Sequence, residues 1–313
     1  MRYVLLLLVG CASATPAPVA PTPLPQAPVT KPDDAARPLF EFHSSFWVNL
    51  HERLYAESST RVPSSDPSSP AWSAALDAYR KRYPDRGIEG LFSDQLVALR
   101  ARLQAAREDE TPAGIDPELQ AAAAAYRAGA WREDDTRNRA WVSRVQLRLE
   151  VLGPTLAADH ARAYQTPWPS EPVHVEVSAF AGPVGAFTSL SPTRIAVSAG
   201  DPRYQDDAAI EMLFHEFSHS LIGRIEAGLA AAGARLRKPV PPRLWHAVIF
   251  FTTGELVARR LPLGYLPYAR KNGLWERSPE MTAYEKAMLK EWMPYLDGKI
   301  GLDAALEKLV GGL

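Results

Sequence analysis

The stretch Asp207-Ala208-Ala209-Ile210-Glu211-Met212-Leu213-Phe214-His215-Glu216-Phe217-Ser218-His219-Ser220-Leu221-Ile222 combines a helix signal with a chemical one. Ala, Leu, Met and Glu favour a helix, and Asp206 or Asp207 is an N-cap candidate. Within it His215-Glu216-Phe217-Ser218-His219 reads H-E-x-x-H. On a helix His215 and His219 lie one turn apart on the same face, where two imidazoles grip one Zn²⁺. Glu216 is turned by about 100° and reaches water beside the metal rather than the metal itself. Leu213, Phe214, Phe217, Leu221 and Ile222 make the surroundings apolar, so this helix is read as mostly buried. Burying two histidines and a glutamate without partners is costly, and a metal relieves that cost.

Outward from this helix, the preceding segment changes period. Val173-His174-Val175-Glu176-Val177-Ser178 alternates strictly, as a half-buried strand does. Gly182-Pro183 and Gly185 mark a turn, Arg194–Ser198 is a second strand, and Gly200-Asp201-Pro202 closes it. Upstream, Phe40–Tyr55 has apolar residues at helical spacing (Phe46, Leu50, Leu54, Trp47), a Ser/Pro loop covers 58–70, and helical patterns follow at 71–83, 90–108, 117–129 and 134–165. A break is expected in the last of these at Gly153-Pro154. Downstream of the motif the chain is helical to its end. The fold class is therefore α+β and helix-dominant, with a small sheet before the H-E-x-x-H helix. The expected organisation is a helical N-terminal region over 39–165 and a metallohydrolase region over 166–313.

A catalytic zinc usually takes three protein ligands plus water. The metzincin extension needs Gly at 222 and His at 225, and this chain has Ile222 and Ile225. Glu226 lies about 16 Å along the axis from His215, too far to share a metal. Glu255, in Thr252-Thr253-Gly254-Glu255-Leu256, stands on a second helix that starts after Pro241-Pro242, and it is the expected third ligand. Its structural alternative is a solvated carboxylate paired with Arg259 at i+4. Candidates for stabilising a developing oxyanion are His246, Tyr265, Tyr268 and Tyr284. His246 precedes Glu255 by nine residues, about 180° round one helix, and reads as a core or supporting histidine. Tyr265-Leu266-Pro267-Tyr268 follows that helix in a loop that can fold over the site. His43, His51, His160 and His174 read as capping, packing or solvent-facing.

With H-E-x-x-H on one helix and Gly254-Glu255 on the next, the region of roughly 172–260 resembles the gluzincin metallopeptidases. The resemblance implies a zincin-like core, a zinc held by His215, His219 and Glu255, Glu216 as general base, and a peptide or protein substrate aligned by an edge strand. The strand–strand–helix order ahead of the motif matches that pattern.

The N-terminus supplies a location. Met1-Arg2-Tyr3 and the apolar Val4–Val9 form a short signal-like segment, shorter than the about 20 residues a bilayer span needs. Leu8-Val9-Gly10-Cys11 resembles the lipobox of bacterial lipoproteins, which implies cleavage after residue 10, acylation at Cys11 and a membrane contact through lipid in the cell envelope. Cys11 is the sole cysteine, so intramolecular disulfides and Cys-based metal cages are excluded. Residues 11–38 are rich in Pro, from Pro16 to Pro38, and read as a semi-rigid tether rising about 3.1 Å per residue. Lys plus Arg number 35 and Asp plus Glu 36, a formal charge of −1 that argues against nucleic acid as a partner. The expected protein is thus a lipid-anchored zinc metallopeptidase. Its rivals are a non-catalytic envelope lipoprotein that retains a zincin-like shape and a hydrolase of non-peptide esters or amides.

Overall fold

The computed structural model describes residues 37–313 apart from 60, 61, 67 and 86. The signal segment, Cys11 and the tether up to residue 36 lie outside the described residues.

Phe40-Glu41-Phe42-His43 alternates in and out, and it forms a strand, β1 (Phe40–His43), instead of the first turn of a helix. The reason is visible in Phe40 and Phe42, which both pack into the core beneath the sheet. Ser45 has extended backbone and ends the strand, so α1 (Phe46–Glu57) starts six residues later than the helical spacing suggested. Helix α1 is buried almost all round, not amphipathic.

The helical layer continues with α2 (Pro70–Arg82), α3 (Ile88–Leu91), α4 (Asp94–Gln104), α5 (Pro117–Ala128) and α6 (Trp131–Tyr164). Ser69 caps α2 by accepting a bond from Trp72 N at 3.2 Å, with Pro70 in the first turn where its missing N–H costs nothing. Helix α6 runs unbroken through Pro154. Pro154 and Glu150 are both exposed, so the carbonyl that loses its helical donor faces water.

Three strands follow: β2 (Val173–Ser178), β3 (Ala186–Leu190) and β4 (Thr193–Ser198). The four-stranded sheet has the order β1-β2-β4-β3, parallel across β1, β2 and β4, with β3 antiparallel at one edge. Val173, Val175 and Val177 face one core together with Ile195, Val197 and the inner side of α6. On the opposite face of the sheet, Phe187 and Ala196 pack with the N-terminal helices. Residues 37–313 form one compact unit, and both β1 and α6 serve the core around the second half of the chain.

The chain then enters α7 (Asp206–Leu221), α8 (Gly223–Leu236) and α9 (Leu244–Ala258). Gln205 occupies the N-cap position of α7, and Asp206 and Asp207 lie in its first turn, where negative charge suits the helix dipole. The short α10 (Tyr268–Lys271), α11 (Pro279–Ala287), α12 (Met293–Leu296) and α13 (Leu302–Gly312) close the fold. It is α+β and helix-dominant. Among the described residues no helix is long and apolar enough to cross a membrane.

Candidate metal centre

Helices α7 and α9 run antiparallel. His219 lies beside Trp245 and His246, His215 beside Phe250, and a Cβ built on Gly254 would come within 3.2 Å of Glu211 Oε1. This pairing brings the start of α9 to the second half of α7, where the motif histidines sit. His215, His219 and His246 consequently form one group, each offering a ring nitrogen within 4.8 Å of the other two. Their ring centroids are 5.3 Å (215–219), 5.4 Å (215–246) and 5.1 Å (219–246) apart.

Among the described residues this is the one group of three or more His, Cys, Asp or Glu with that spacing. His215 Nδ1 and His246 Nε2 are buried and have no hydrogen-bond partner. Burial and the neighbouring imidazoles push His215 well below its usual range; burial brings His219 to about 4, and burial, His219 and Arg243 bring His246 to about 3. All three rings are therefore neutral near pH 7, with no proton competing for their lone pairs. Phe250 lies 4.1 Å from the His215 ring and Trp245 5.0 Å from that of His246, so aromatic walls fix two of the imidazoles. His219 and His246 keep partial solvent exposure. Three neutral imidazoles, two of them with a buried unpartnered nitrogen and two partly exposed, fit a divalent ion of borderline softness such as Zn²⁺.

Glu255, the expected third ligand, is not part of this group. It follows His246 by nine residues on the same helix, half a turn round and about 13 Å along the axis. Its carboxylate lies 3.2 Å from Arg270 Nη1. Arg259, its anticipated i+4 partner, pairs with Asp297 at 2.7 Å instead.

Glu216 is 5% exposed, and burial pushes it up to about 7. Thr188 on β3 lies 2.8 Å from Glu216 Oε2 and 2.9 Å from the Glu216 main-chain oxygen. Its hydroxyl donates to the carboxylate when Glu216 is charged. When Glu216 is protonated, its carboxyl O–H donates to the Thr188 hydroxyl, which in turn donates to the Glu216 carbonyl. Thr188 was not among the sequence candidates because β3 itself was missed. Ala186–Leu190, rich in strand formers and joined to β4 by Ser191-Pro192, was the available signal.

Of the oxyanion candidates, His246 joins the histidine group. Tyr265 Oη donates to Glu211 Oε2 at 2.6 Å, and Tyr284 Oη lies beside Glu280. Tyr268 stacks on Phe250, with centroids 6.2 Å apart and planes 10° from parallel. Glu211, one turn before His215, is buried and pushed up to about 7 chiefly by burial. It is a second residue that the sequence did not single out.

No protein-family model, no curated protein and no solved structure matches this chain.

Proposed function

We propose that the protein is a zinc-dependent hydrolase acting on peptide bonds, with His215, His219 and His246 holding the metal and Glu216 moving the proton. The observation that carries this reading is the convergence of three neutral imidazoles next to a buried carboxylate in H-E-x-x-H register. A bound zinc ion supplies Lewis acidity toward a carbonyl and acidifies water. Glu216 accepts a proton at a carboxylate oxygen from the attacking water and hands it to the departing nitrogen. A carboxyl group near 7 is suited to both halves of that transfer. Thr188 keeps the side chain placed in either protonation state.

A peptide is the favoured substrate class because β3 is a sheet edge, and Thr188 ties it directly to α7. An extended chain adds to such an edge through main-chain hydrogen bonds. The third histidine departs from the glutamate that defines gluzincins, so the reading is of a zincin-like centre with three imidazoles. The lipobox resemblance at Cys11 supports a position on the cell-envelope membrane.

The test is Glu216→Gln. It keeps the volume and the three imidazoles but cannot take a proton. The expected result is wild-type zinc content with hydrolysis of a peptide library reduced by about 10²–10⁴. Wild-type turnover by the variant overturns the proposal.

A further inference from the structure

Glu211 is 2% exposed and makes no ion pair among the described residues, while the charge of Glu255, itself paired with Arg270, acts on it. Its partners are neutral donors from a single turn. Tyr265 Oη donates to Oε2 at 2.6 Å, and Tyr268 N approaches both oxygens at 3.0 and 2.9 Å. Burial, with the charge of Glu255 adding to it, pushes the carboxyl up to about 7. A glutamine would keep only part of the arrangement, because its NH₂ would face a donor.

The turn held in this way leads back to the histidines. Tyr268 stacks on Phe250, and Phe250 lies 4.1 Å from the His215 ring and 4.8 Å from that of His246. Glu211 also precedes His215 by one turn, on the same side of α7. Gly254 makes room for the junction. A Cβ there would sit 2.8 Å from Pro267 Cβ and 3.2 Å from Glu211 Oε1.

We propose that Glu211 is a positioning residue that couples the three-histidine group to the 261–268 turn, so that metal held by the histidines and closure of the turn reinforce each other. The inference rests on the metal reading above. The turn latched by Glu211 places Tyr268 against Phe250 and so backs the aromatic wall behind the imidazoles of His215 and His246. By linkage the coupling is reciprocal: whatever loosens the turn weakens the metal by the same factor.

The experiment uses the full-length protein, with Zn²⁺ affinity measured by chelator competition and hydrogen exchange followed in peptides covering 261–271 with and without Zn²⁺. In the wild type, Zn²⁺ slows exchange in that turn. Glu211→Gln weakens Zn²⁺ about tenfold, the low end for outer partners of a metal site, and abolishes the slowing. Tyr265→Phe removes one bond without touching α7 and weakens Zn²⁺ about threefold, with partial loss of the slowing. It also decides the matter alone if Glu211→Gln does not fold. Wild-type affinity and wild-type slowing in the variants overturn the coupling while leaving the metal reading intact. A wild-type protein that takes up no Zn²⁺ overturns the metal reading, and the coupling with it.

Discussion

Two of the regions that bury polar side chains do it in opposite ways. In the helical layer, Arg53 donates to Asp134 Oδ2 at 2.8 Å and to Glu57 Oε1 at 2.7 Å, Tyr126 Oη donates to the same Asp134 oxygen at 2.8 Å, and Trp72 Nε1 donates to Glu57 Oε2 at 2.9 Å. Each charge there meets an opposite charge or a donor, and the network closes on itself. Between α7 and α9, three imidazoles face one another, with no acid among them and two nitrogens unpartnered. A closed network stabilises the fold by itself, whereas an open one is complete only when something from outside enters. The contrast separates a polar cluster that is complete within the protein from one that is not, without reference to any motif.

The largest stability effect falls on the closed network. Asp134→Ala leaves the buried Arg53 with only part of its compensation, and should cost about 3–4 kcal/mol in urea unfolding while leaving Zn²⁺ affinity unchanged. Loss of zinc binding in that variant would mean that the two clusters are not independent.

His160 tests whether a single imidazole with one unpartnered nitrogen behaves like the group of three. It is fully buried, its Nδ1 lies 2.7 Å from the Leu156 carbonyl oxygen and its Nε2 has no partner. Burial lowers it from 6.5 to about 4. Between those values the unfolded chain binds the proton and the folded protein does not, so stability is complete above about pH 6.5 and falls as the pH drops toward 4. The share of His160 in that loss is about 3 kcal/mol over the window, and His160→Phe should lessen the slope there by about one proton, while the three grouped histidines keep their share. An unchanged slope would place the acid sensitivity elsewhere.

The smallest effect is expected at the open group. In metal-free protein, His246→Leu replaces an unsatisfied polar ring with an apolar side chain of similar bulk, and the unfolding free energy should change by less than about 1 kcal/mol or rise. A large destabilisation would show that His246 is a structural core residue.

The strand Val173–Ser178, the helix around H-E-x-x-H and the helix after Pro241-Pro242 were legible in the sequence because local period and punctuation set them. β1 was hidden because Phe40 and Phe42 also fit a helical spacing, and only pairing with β2 decides between the two. The motif residues His215, Glu216 and His219 were legible from one helix, but the third member of the group was not. The 180° relation between His246 and Glu255 says that only one of them can face the motif. Which one depends on how α9 lies against α7, a tertiary fact. Once the helices are antiparallel, the residue near the start of α9 meets His219, and the one near its end comes to the level of Glu211. Thr188 and Glu211 escaped for the same reason, since their partners are distant in sequence.

The proposed metal group takes His246, not Glu255, as its third member. Zinc content of the purified wild type, His246→Ala and Glu255→Gln tests it directly. The expected result is one zinc per chain in the wild type and in Glu255→Gln, and none in His246→Ala. Zinc retained by His246→Ala but lost from Glu255→Gln would contradict it.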